Sequence, residues 1–158
     1  MKTTARFDQA VRKLYDAFHQ NRLNPDACTQ CAVGNILDNQ AFWRHFTDDH
    51  GALKLNYVGA VTQNLGRTFN GYSPLQLLKI ENTFLTACGV QLPFSKFKNS
   101  EKHKPTKDQL FDGLTAVVAL LCQIDGVPNV LDCSILFDYQ HSKNEVHSDE
   151  LLPHDALT

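Results

Sequence analysis

Cys28 and Cys31 are two residues apart and are followed by His45 and His50, so the chain carries Cys-x2-Cys-x13-His-x4-His. Two thiolates and two imidazoles in this order can close a tetrahedral zinc shell. A thiolate pair at this spacing grips one metal from a single turn, and the two imidazoles can reach it from one helical face. The expected metal is zinc, with Cys28, Cys31, His45 and His50 as its ligands. The segment between the two pairs lacks the strand pair and apolar positions of a zinc finger. An interaction or regulatory site is therefore expected in place of a DNA-reading one.

The same cysteines support two other readings. A Cys-x2-Cys pair at a helix N-terminus can have a lowered thiol pKa and close a disulfide within one turn, which would make a thiol redox or electron-transfer accessory. The residues that follow, Ala32-Val33-Gly34, bring no base or cation. Alternatively, both cysteines pack as small hydrophobes in a purely structural, partner-binding module. No Walker loop, G-x-G-x-x-G, G-x-S-x-G or H-E-x-x-H motif is present, so no enzyme class is indicated and a non-enzymatic role is expected. Asp48-Asp49-His50 before Gly51 could bind metal or work as acid and base, although a charged turn of this kind is more often only solvated. His141, His147 and His154 could collect metal weakly. Lys96, Lys98, Lys102 and Lys104, with Phe94 and Phe97, read most simply as a solvated connection.

Helices must position these groups, because strand alternation is nowhere sustained. Phe7, Val11, Leu14, Tyr15 and Phe18 mark one face of a helix over roughly 4–20. Asp26 is the expected N-cap of a short helix from Ala27 to about Gly34, which places both cysteines at a helix start. A second short helix after Asp38 or Asn39 includes Phe42, Trp43 and Phe46. Leu55, Val58, Val61 and Leu65 predict another helix, whose Gly59 and Ala60 permit close packing. Ser73, Pro74 and Gln76 spell a capped helix start, stopped at Gly89, with Leu77, Ile80, Phe84, Leu85 and Cys88 as its apolar face. Thr106 and Gln109 repeat the capping box ahead of a long core helix that closes at Gly126. Val130 to Phe137 suggests a last short helix.

The 158 residues suit one domain with its own core. The expected architecture is an all-α, compact single-domain bundle of five or six helices. It spans residues 1–138 and is followed by a polar, flexible tail over 139–158. A formal net charge of −2, from 15 Lys plus Arg and 17 Asp plus Glu, gives no basic field, so no specific nucleic acid is expected. No apolar run is long enough to span a membrane, and the first residues do not read as a secretory signal. Five cysteines, an odd number, argue for a reducing compartment, and a cytoplasmic location with a protein partner is the expectation.

Three ordered blocks carry a resemblance to a family. They are Cys28-Thr29-Gln30-Cys31-Ala32-Val33-Gly34-Asn35, then Gly71-Tyr72-Ser73-Pro74-Leu75-Gln76-Leu77 with Ile80-Glu81 and Phe84, then Phe111-Asp112-Gly113-Leu114 with Ala116-Val117-Val118. Over roughly residues 5–130 the chain resembles small bacterial proteins often labelled as the F subunit of a sodium-translocating NADH:quinone reductase. The label implies a link to quinone reduction. A true F subunit needs a membrane anchor, a ferredoxin-type cysteine set, and flavin and nicotinamide domains, far more than this chain holds. No catalytic or cofactor residue is therefore carried over from the reductase.

Overall fold

The computed structural model describes residues 3–90, 105–129 and 131–141. The Lys-rich connection, His147, His154 and most of the expected tail lie outside the described residues. Among the described residues the chain forms six α-helices and one 3-10 turn. Strands are absent there, and Phe69 and Tyr72 make an isolated antiparallel bridge.

Helix starts follow the capping chemistry. α1 (Ala5–His19) opens where the Thr4 side chain accepts the Phe7 N–H, and it buries Phe7, Ala10, Val11, Leu14, Ala17 and Phe18. α4 (Pro74–Ala87) opens on the full capping box of Ser73 and Gln76. α5 (Lys107–Asp125) does the same with Thr106 and Gln109, and it ends at Gly126 in the left-handed conformation. α4 and α5 pack against each other most extensively. α1 lies on α5 and on α2 (Ala32–Ile36), which in turn packs on α4. The 3-10 turn (Phe42–Phe46) and α3 (Tyr57–Asn64) pack together and against α4, and α6 is Cys133–Leu136.

Three elements differ from expectation. Asp26 does not cap the cysteine-bearing helix: its N–H is held by Asn24 Oδ1 in a turn, and α2 begins only after Cys31, which is itself the N-cap. α3 lies where its periodicity places it, but it is turned inside out. Val58, Val61 and Leu65 are 52%, 40% and 70% exposed, whereas Gly59 is buried. A Cβ at Gly59 would stand 2.3 Å from the Phe46 carbonyl oxygen, so only the face without a side chain fits against the 3-10 turn. The start of the expected tail is also packed. Tyr139 stacks on Phe18 and Phe111 and donates to Asp108 Oδ1, while His141 is buried with Nε2 3.2 Å from Asp112 Oδ1.

One polar cluster ties the ends of the long helices. Arg6 Nε donates to Asp125 Oδ1 at 2.7 Å, its Nη1 donates to the Gly71 carbonyl, and its guanidinium lies over the Tyr72 ring. Thr4 Oγ1 donates to Asp125 Oδ2, and the Asp125 side chain is 1% exposed. Removing one partner of such a pair leaves the other uncompensated. Asp125→Ala is expected to cost about 2 kcal/mol. Urea unfolding checks this: the midpoint falls while the slope stays unchanged.

Candidate functional site

The Cys28–Cys31 turn is held by its carbonyls. Trp43 Nε1 donates to the Cys28 carbonyl at 3.1 Å, and Asn39 Nδ2 donates to that of Thr29 at 2.8 Å. Asn35 Nδ2 donates to the carbonyls of Gln30 and Cys31, each at 2.9 Å. Four successive carbonyls thus find side-chain donors, which is why a segment without regular structure keeps one shape. Gly34 completes the fit, since a Cβ there would stand 2.4 Å from the Cys28 carbonyl oxygen. Cys31, fully buried, accepts the Gly34 N–H on its sulfur at 3.3 Å and donates toward the Cys28 carbonyl at 3.5 Å. Cys28 is half-buried.

His50 arrives from the turn after the 3-10 segment. Asn82 of α4 holds the adjacent Gly51 carbonyl at 2.8 Å, and the Trp43 and His50 rings lie 5.9 Å apart. Asn56 braces the same loop through the His45 carbonyl and Asp48. His50 Nδ1 is thereby placed 3.5 Å from Cys28 Sγ, and Nε2 is placed 3.4 Å from Glu81 Oε2. Glu81 has no exposed surface, and its Oε1 accepts the Val33 N–H at 3.4 Å. Among the described residues its Oε2 makes no hydrogen bond, although His50 Nε2 lies 3.4 Å away. An imidazolium there is a compensating charge for the carboxylate.

The electrostatics agree with this arrangement. Burial alone would lower the His50 pKa, but the Cys28 sulfur and the Glu81 carboxylate outweigh it and hold the group up to about 10. Cys31 responds oppositely. Burial first, and then the Glu81 charge, pushes its thiol well above the ordinary range, so it stays protonated. Cys31 acts as a neutral cap, and Cys28 is the sulfur beside a cation.

Cys28 and His50 line an open groove of about 920 Å³, together with Trp43, Arg44, His45 and Val58. Of the four residues read as metal ligands, the structure pairs Cys28 with His50. It sets Cys31 behind them in the core and leaves His45 exposed on the groove rim. Among the described residues no three His, Cys, Asp or Glu side chains are grouped so as to hold a metal ion. The imidazole stands between the sulfur and the carboxylate, one nitrogen toward each, so the three groups form a line. Glu81 and Trp43 had no place in the ligand spacing. Glu81 does leave a trace in the sequence, as a carboxylate at i+4 from Leu77 and i−3 from Phe84 on an apolar helical stripe.

The chain matches no protein-family model, no curated protein and no solved structure.

The raised His50 pKa links protonation to folding. A group held above its ordinary value of 6.5 adds stability that is fully present below that pH and is lost as pH rises through about 10. Denaturant titrations of wild type and His50→Gln are expected to show a stability margin that is full in mild acid and closes as the solution becomes alkaline.

Proposed function

We propose that Cys28, His50 and Glu81 act together as a Cys–His–carboxylate hydrolytic site. The observation that carries this reading is the His50 ring, set between the Cys28 sulfur at 3.5 Å and a buried carboxylate at 3.4 Å, on the wall of an open groove. A cationic imidazole beside a sulfur is the setting in which a thiolate forms and attacks. The three residues come from separate segments, so no short motif announces them.

In the ion-paired form the Cys28 sulfur adds to a substrate carbonyl carbon and a C–S bond forms. The bond from that carbon to the leaving nitrogen or oxygen breaks as His50 gives its Nδ1 proton to the departing group. Water then adds to the acyl-Cys28 carbon while His50 takes its proton. The carboxylic acid leaves, the sulfur is released, and the imidazolium is restored, with one water consumed per bond cleaved. Proton transfer by a positioned histidine contributes about 10²–10⁴ in rate. Glu81 Oε2, 3.4 Å from Nε2, supports the ring's charge in both steps.

A second reading keeps zinc. The Cys28 to His50 separation of 3.5 Å is close to the roughly 3.6 Å expected between two ligands of one tetrahedral zinc. A carboxylate on the other imidazole nitrogen is the usual outer support of such a ligand. Cys28 and His50 would hold the metal. Cys31 would join only by turning from its cap and losing its proton, and His45 only by folding in from the rim.

Alkylation by iodoacetamide, located on Cys28 by peptide mapping, separates the two. The hydrolytic reading expects His50→Ala to slow Cys28 alkylation at neutral pH by about tenfold or more, with no effect of a chelator. Zinc would instead show as one metal per chain by elemental analysis, with alkylation that speeds up after chelation. Equal alkylation rates in wild type and His50→Ala would overturn the hydrolytic reading.

A further inference from the structure

The groove beside Cys28 does not end at the thiol. Val58 belongs both to its wall and to the outer face of α3, where Tyr57, Val61 and Leu65 continue the apolar row. Tyr57 is 83% exposed, the most open large apolar side chain described. This face is outward because Gly59 must face the Phe46 carbonyl, which leaves Val58, Val61 and Leu65 open to solvent. A contiguous exposed apolar row next to a reactive group marks a binding surface.

Resting on the thiol-site reading above, we propose that the substrate is a polypeptide. It lies with apolar side chains along α3 and presents a backbone carbonyl to Cys28. The shape favours this class. From Tyr57 to Leu65 the row runs about 12 Å along the helix. That distance matches three to four residues of extended chain. The four side chains are each 40% or more exposed, so the face is open, suited to side chains of a peptide laid across it and not to a lipid tail that must be enclosed. The rim of the groove also carries both signs, with Arg44 as a donor and Asp48 as an acceptor. Amide N–H and C=O groups together need both, whereas a phosphate or carboxylate substrate would be met by one sign.

The test uses two N-blocked tripeptide chloromethyl ketones, one apolar (Val-Leu-Phe) and one acidic (Asp-Glu-Asp), with iodoacetamide as a small reference. The rate of Cys28 labelling by each peptide is divided by the iodoacetamide rate in the same protein. Wild type is expected to favour the apolar peptide by about tenfold or more. The double variant Val61→Lys, Leu65→Lys is expected to lose most of that preference, and it should fold because both side chains already face water. No preference in wild type, or a preference untouched by the double variant, overturns the polypeptide assignment while leaving the thiol site standing. Failure of the thiol site is read separately, as iodoacetamide rates that do not depend on His50. Sedimentation that finds a dimer in wild type and a monomer in the double variant would assign the α3 face to a second copy of the chain, and would also overturn the proposal.

Discussion

Glu81 stands among Leu77, Leu78, Ile80, Phe84 and Leu85 with none of its surface in water. A carboxylate removed from solvent costs several kcal/mol unless a charge and hydrogen bonds answer it. In this chain the answers come from two other segments, the Val33 N–H at the start of α2 and the His50 ring from the turn after the 3-10 segment. The site depends on that demand. It draws both loops onto α4, and where they meet, Cys28 and His50 face each other beside the groove. The neighbouring Asn82 helps from the same helix by holding Gly51.

The surrounding contacts are arranged to keep that meeting point fixed. Trp43 reaches the Cys28 carbonyl and packs beside His50, so one buried side chain spans the Cys28 backbone and the His50 ring. Asn35 and Asn39 hold the next three carbonyls, and Gly34 lets α2 press against the turn. A turn whose carbonyls are held this way has little freedom left to lose, so the Cys28 side chain starts from a fixed backbone. The Arg6–Asp125 cluster serves the frame and not the site, tying the start of α1 to the end of α5.

Much of the frame was legible from local rules. Ser73 with Gln76 and Thr106 with Gln109 announce two helix starts because capping is a contact within four residues, and Gly126 announces a stop for a similar reason. The apolar stripe of α1 was equally plain. Local rules failed where a distant contact decides. Periodicity located α3 but put Val58, Val61 and Leu65 inside, because the Phe46 carbonyl that admits only Gly59 lies on another element. Asp26 looked like a cap, but Asn24 turns the chain there and the sulfur of Cys31 takes the role. At the site, spacing singled out Cys28 and His50 for a metal reason. Glu81, which with the Cys28 sulfur holds the His50 pKa up, is 31 residues beyond His50 in sequence and shows there only as a carboxylate on an apolar helical stripe.

The central claim is that the Cys28 sulfur and a buried Glu81 together keep His50 charged. It is tested most directly by following the His50 ring nitrogens by NMR across pH, in wild type and in Glu81→Gln. The account predicts that wild-type His50 keeps both ring protons through neutral pH and titrates near 10, and that Glu81→Gln brings the titration down toward the ordinary histidine range. A wild-type His50 that titrates near 6.5, or a titration that Glu81→Gln leaves in place, would contradict it.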